Sequence, residues 1–175
     1  MSMLNATATS VTEYLQTSYR PDREYLDGEI RERNVGKYDH SRLKALLAIW
    51  FGEHEDLWSV VALTEQRVRV APLRVRIPDV TLVSRGPQPD VLVEAPRLVI
   101  EILSPDDTYA DTERRAADSL AMGVPALWII DPETRTGRMA SLREWVQADR
   151  LEVAGEPVYV DLKELFAKLD RSRQA

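Results

Sequence analysis

One segment limits the possible folds more than any other: Leu98-Val99-Ile100-Glu101-Ile102-Leu103, an apolar run with a single acid near its centre. Branched apolar residues fill both sides of its alternation, so both faces of the predicted strand are covered, as in the middle layer of an α/β domain. A carboxylate in such a place costs several kcal/mol if it is left charged and alone. It either takes up a proton or has a partner: an arginine, a lysine or a metal ion.

A second acid repeats the anomaly. In Val75-Arg76-Ile77-Pro78-Asp79-Val80-Thr81-Leu82-Val83, Asp79 has the parity of Val75 and Ile77, the apolar side. Pro78 has no N–H to give to a ladder, so a bend or bulge is expected there. Asp79 and Glu101 are 22 positions apart, which fits a strand, a loop and a return strand, and lets the two carboxylates converge. Like charges that close raise each other's pKa unless a cation lies between them. Mg²⁺ is bound by one or two carboxylates together with waters and substrate phosphates. With no His or Cys in the pair, a hard cation is favoured over zinc. The plainer alternative is a pair of structural acids, each held by an arginine.

The rest of the chain reads as α/β with a mostly antiparallel start. Its 175 residues are expected to form one domain, 1–175, with an N-terminal helical segment over 1–20 and a C-terminal extension with a helix over 143–175. A short helix is predicted over 9–17, capped by Thr9 or Ser10, with Glu13 at capping-box spacing from Ser10. A longer helix is predicted from Asp39 to Phe51, with Leu43, Leu46, Leu47 and Trp50 as its stripe and Gly52 as its stop. A third spans 111–122 up to Gly123, and a fourth follows Asp161 with Leu162, Leu165, Phe166 and Leu169 inward. Asp27-Gly28 predicts a tight hairpin between 24–26 and 29–33. Strands are expected over 97–104 and 126–130, with an edge strand over 138–142. His54, among Glu53, Glu55 and Asp56, reads as a solvated loop residue.

Composition removes several classes. The chain has no cysteine, which excludes a disulfide scaffold, a Cys-based zinc site and a thiol nucleophile, and fits a reducing compartment. With 23 basic and 29 acidic residues the net charge is −6, so a generally basic nucleic-acid coat is excluded but a local basic patch is not. The best candidate for such a patch is Arg67, Arg69, Arg74 and Arg76, interleaved with Val68, Val70, Val75 and Ile77. A two-residue loop would pair Arg69 with Arg74 and Arg67 with Arg76, placing all four on one face, where phosphate or a glutamate such as Glu65 would relieve the repulsion. The N-terminus carries no basic leader with an apolar core, and no apolar run approaches the ~20 residues of a membrane span, so a cytoplasmic protein is expected.

The two acids, in order, are similar to the PD-(D/E)XK nuclease pattern: Pro78-Asp79, then Glu101-Ile102-Leu103 at the end of an apolar strand. Leu103 stands where that pattern has lysine, which points to one branch. Glu24-Tyr25-Leu26-Asp27-Gly28-Glu29-Ile30, Val75 to Val80, Ile100-Glu101-Ile102-Leu103-Ser104-Pro105 and Gly123 to Pro132 resemble the Uma-two family of restriction-endonuclease-like proteins. The likeness runs from about Glu24 to Pro132. It implies a restriction-endonuclease-like α/β (α+β) fold, a central mixed β-sheet flanked by helices. It also implies Mg²⁺ or Mn²⁺ held by Asp79, Glu101 and the backbone carbonyl of Ile102, hydrolysis of DNA phosphodiester bonds, and, by analogy with other nucleases of the fold, a homodimer.

In this branch the lysine moves to the helix after the Glu strand, eight residues before the Gly-Val pair, and here that residue is Arg115. Four residues on, where the family often has tyrosine, the chain has Ser119. Arginine stays protonated and cannot act as a base, but it can hold a phosphate and offset developing charge. The resemblance therefore leaves two functional expectations. One is an Mg²⁺-dependent endonuclease with Asp79, Glu101 and Arg115 as its catalytic set. The other is a catalytically impaired nuclease fold that binds nucleic acid or protein, in which Arg115 bridges the acids and no metal binds. Glu29 matches a recurrent acid of the family and could approach the metal through water; the plainer reading is an exposed hairpin charge. His40 matches a family histidine that could contact phosphate or shuttle a proton, against a capping or packing role.

Overall fold

The computed structural model describes residues 9–34 and 36–174. Helix α1 (Val11–Gln16) starts as predicted, with the Ser10 hydroxyl accepting the Glu13 N–H at 3.1 Å. Strands β1 (Glu24–Leu26) and β2 (Glu29–Arg31) form the hairpin around Asp27-Gly28. Helix α2 runs from Tyr38 to Trp58 and ends at Ser59, in the left-handed region. It continues past Gly52, the expected stop. A glycine inside a helix costs about 1 kcal/mol, and the extra turns bury Trp58 against Phe51. His54 is consequently helical and not a loop residue, tilted against the Trp50 ring at 4.1 Å and stacked on that of Trp58 at 4.3 Å. Asp39 is not the cap; it lies in the first turn and pairs with Arg173 at 2.7 Å.

Then follow β3 (Val60–Thr64), β4 (Val68–Ala71), β5 (Arg74–Arg76), β6 (Val80–Ser84), β7 (Leu98–Ile102), α3 (Tyr109–Met122), β8 (Leu127–Asp131), β9 (Thr136–Ala140), β10 (Trp145–Gln147), β11 (Arg150–Glu152), β12 (Tyr159–Asp161) and α4 (Leu162–Arg171). Six strands make the central mixed sheet in the order β10-β9-β8-β7-β6-β3. Within it β7 and β8 are parallel, joined through α3, and the other neighbours are antiparallel. A second, antiparallel sheet has the order β2-β1-β5-β4. The strand expected at an edge over 138–142 is β9, and it is interior, because β10 returns alongside it and covers its far side.

Every residue of β7 is buried, as the run of apolar residues requires. On one face Ile100 and Ile102 join Leu43, Leu47 and Phe51 of α2 and Leu165 of α4. The residues after 143 are therefore part of this core, through Leu151, Val160 and Phe166. On the other face Val99 joins Leu127, Ile129 and Ala116 of α3. Glu101 shares the parity of Val99, so it points to the α3 side. The layers are helices, sheet, helix. Among the described residues no helix is long and apolar enough to cross a membrane.

The predicted arginine face does not form. In place of Arg69–Arg74 and Arg67–Arg76, the ladder sets Val68 opposite Arg76 and Ala71 opposite Arg74, with a register shift between them. The irregularity turns β4 relative to β5. Arg67 lies over the Tyr14 ring at 4.6 Å, whereas Arg74 and Arg76 reach Asp118 of α3.

Candidate active site

The antiparallel register of β6 and β7 brings the two anomalous acids together. Val80 pairs with Ile100, and one further step along both chains sets Asp79 across from Glu101. The Ile102 N–H confirms the proximity by donating to Asp79 Oδ2 at 2.9 Å. Both acids line a polar cavity of about 720 Å³ between α3 and the sheet that holds β1 and β5. Nine carboxylates and six arginines line that cavity, so it carries a surplus of acid.

Asp79 is enclosed by donors. Arg33 Nη2 lies 3.1 Å from Oδ1, and His40 Nε2 lies 3.2 Å from Oδ2. Burial alone would raise its pKa, but the hydrogen bond and charge of His40, the charge of Arg33 and the Ile102 N–H hold it below the usual carboxylate range. Gly36 makes room for this arrangement: a Cβ there would fall 2.2 Å from His40 Nδ1.

Glu101 is in the opposite condition. Among the described residues its carboxylate accepts no hydrogen bond; Arg115 Nε stands 3.4 Å from Oε2 and is itself without a hydrogen-bond partner. Burial pushes the carboxyl up to about 8, with Asp79 and Glu24 adding to the rise and Arg115 opposing it. The guanidinium of Arg115 is held elsewhere, by Nη1 to Asp107 Oδ1 at 3.0 Å. Burial works against its charge, but Glu101 and Asp107 keep it firmly protonated. Arg115 thus links Glu101 to Asp107, and does not bridge Glu101 and Asp79.

A buried strut fixes the walls. Arg76 binds Glu24 Oε2 at 2.7 Å and Asp118 Oδ2 at 2.6 Å, which ties β5 to β1 and to α3. Arg74 adds bonds to Asp118 and to Asp27, both at 2.8 Å. Of the four arginines expected to face nucleic acid, these two line the cavity, engaged by protein carboxylates. Arg67 is occupied by Asp22 and Arg69 by the Pro72 carbonyl, both outside the cavity lining. Glu29 is an exposed residue of the cavity rim, paired with Arg31 at 2.8 Å. Ser119 is buried in α3.

Sequence reasoning missed Asp107, Arg33 and the Glu24–Arg76–Asp118 strut. For Asp107 one signal was available: it lies in the loop after a strand that feeds a helix and a parallel strand, the end of such a unit where α/β sheets place ligands.

A divalent ion fits the donors present. Among the described residues no three His, Cys, Asp or Glu side chains are grouped as a cage, and Mg²⁺ needs none, since waters and phosphates complete its shell. Glu101 is an unbonded buried carboxylate, Asp79 keeps one of its roughly four lone-pair sites, and both offer hard oxygens to an acid-rich cavity.

The comparisons with known proteins bear on the fold and the family. No curated protein matches the sequence. A structure described as a putative nuclease belonging to DUF820, from Anabaena variabilis ATCC 29413, superposes with TM-score 0.79 at 22% identity, over 90% of this chain and 97% of that one. At that identity it shows the shared fold. The DrdV–DNA complex aligns with TM-score 0.40 at 19% identity, over 73% of this chain and 10% of that chain, too loosely to bear on the site. The model of the Uma2 family, described as "Putative restriction endonuclease", matches residues 11–170. That match spans nearly the whole chain, includes both buried acids and supports a nuclease: the chain belongs to the Uma2 family.

Proposed function

We propose that the protein is an endonuclease that hydrolyses DNA phosphodiester bonds in this cavity with the help of Mg²⁺ or Mn²⁺. The observation that carries the proposal is the placement of Asp79 and Glu101 across from one another at the wall of a single acid-rich cavity. Asp79, Glu101 and the Ile102 carbonyl would hold the ion. When bound, it would lower the pKa of a water and offset charge on the phosphate.

The chain's own residues have distinct tasks. Arg33, His40 and the Ile102 N–H keep Asp79 ionised and fixed in position. Glu101, sparsely bonded and buried, is ready to give up its proton to a cation. Arg115 cannot serve as a base; with Nη1 anchored on Asp107, its guanidinium lines the cavity where it would meet a phosphate oxygen and stabilise negative charge as it develops. Pairing of two copies would allow both strands of a duplex to be cut, and an intracellular, DNA-facing role goes with this reading.

The test is cleavage of supercoiled plasmid with Mg²⁺ or Mn²⁺ by the wild type, Asp79→Asn and Glu101→Gln. Cleavage by the wild type alone supports the proposal; equal cleavage by all three would trace the activity to a contaminant. A second reading, a nucleic-acid-binding module without catalysis, is favoured by one observation: an arginine, not a lysine, stands beside Glu101. It predicts DNA binding that no metal alters and no cleavage.

A further inference from the structure

Asp107 enters the reading above only as an anchor for Arg115, yet it is held as firmly as Asp79. Its carboxylate is 6% exposed and collects three donors: the Ser104 N–H at 2.7 Å, Asn34 Nδ2 at 3.0 Å and Arg115 Nη1 at 3.0 Å. The guanidinium it holds stands next to Glu101 but forms no hydrogen bond with it. That is an unexpected arrangement. A guanidinium free to move beside a buried carboxyl closes onto it with N–H···O bonds, two parallel ones once the acid is ionised, and a buried, unbonded Nε–H carries a desolvation penalty that such closure would remove. The segment after β2 reinforces the anchor: Asn34 binds Asp107 while its neighbour Arg33 binds Asp79.

We propose that Asp107 is a positioning residue that keeps Arg115, already beside Glu101, from closing onto it as a hydrogen-bonded pair. The tether leaves the Glu101 oxygens open to a cation and keeps the guanidinium beside the site, where a phosphate oxygen can meet it. The consequence for cation binding rests on the reading of Asp79 and Glu101 as a metal pair; the tether itself does not.

The test has two arms. In the metal-free protein, the Arg115 Nε–H resonance, assigned by its loss in Arg115→Gln, reports whether Nε is bonded. Asp107→Asn retains an acceptor for the Ser104 N–H and removes the charge that holds Arg115. Slower exchange of the Nε–H in Asp107→Asn, abolished by adding Glu101→Gln, is the expected result; unchanged exchange overturns the tether. Asp107→Ser, which keeps a hydroxyl acceptor, is read in the same way if the Asn variant does not fold. In the second arm, calorimetry with Mn²⁺ is expected to show affinity weakened by about tenfold in Asp107→Asn, as for other residues that orient metal ligands, and recovered in Asp107→Asn/Arg115→Gln. Wild-type affinity in Asp107→Asn overturns the role in cation binding. A wild type that binds no Mn²⁺ refutes the metal pair and that role with it, while the resonance still decides the tether.

Discussion

Replacing Glu101 by Gln is expected to stabilise the metal-free protein, and to do so only at neutral and alkaline pH. Glutamine has the shape of the protonated acid and no charge to desolvate. The folded protein holds the Glu101 carboxyl at about 8, against an ordinary value of 4.5. Below pH 4.5 the acid is protonated in both folded and unfolded chains and contributes nothing. Between that point and pH 8 the folded chain retains a proton that the unfolded chain has lost. Stability therefore falls as pH rises through this window, by about 1.4 kcal/mol per pH unit. The whole interval amounts to as much as about 5 kcal/mol, or roughly 10 to 20 °C in Tm for a chain of this size. Thermal melts in chelator at pH 5 and pH 8 measure it. The variant and the wild type should nearly coincide at pH 5 and separate at pH 8, with the variant higher. A difference that is the same at both pH values would mean that Glu101 ionises as freely in the fold as out of it, and that burial does not hold its proton.

Further outcomes follow from the same contacts. Asp79→Ala leaves Arg33, His40 and the Ile102 N–H without their acceptor and should destabilise by about 3 kcal/mol in urea melts. Arg76→Met strands Glu24 and Asp118, both close to buried, and should cost about 3 to 5 kcal/mol by the same measurement. Gly36→Ala forces His40 to move, with a cost of about 1 to 3 kcal/mol and a loss of the His40–Asp79 contact visible in the imidazole NMR shifts. Arg115→Lys supplies a side chain that can deprotonate when buried; plasmid nicking with Mn²⁺ should rise, and a fall would show that the fork of the arginine is itself required.

What could be read in the sequence was whatever broke a pattern. Asp79 and Glu101 stood out because apolar alternation makes a single acid conspicuous, and their separation suited neighbouring strands; the register, which pairs Val80 with Ile100, then brought them to the wall of one cavity. The central mixed sheet with its flanking helices followed from the same alternation and from the helical stripes. Arg33 and Asp107 left no such trace. Each is a polar residue in a loop, and Arg33 gains its role from a partner 46 positions away. The shifted pairing of β4 with β5 was equally silent, because an alternation of valine and arginine looks the same with or without a bulge. Gly52 misled because a local helix penalty was outweighed by burial of Trp58, which lies two turns further on. Strands β10 to β12 are three residues each, too short to show a period.

Diffraction from crystals soaked in Mn²⁺, with data collected at the manganese edge, shows whether the two buried acids share an ion. One anomalous peak is expected in the cavity, within coordination distance of an Asp79 oxygen and a Glu101 oxygen together. A cavity without a peak at saturating Mn²⁺, or a peak bound to other acids while Arg115 closes on Glu101, would contradict it.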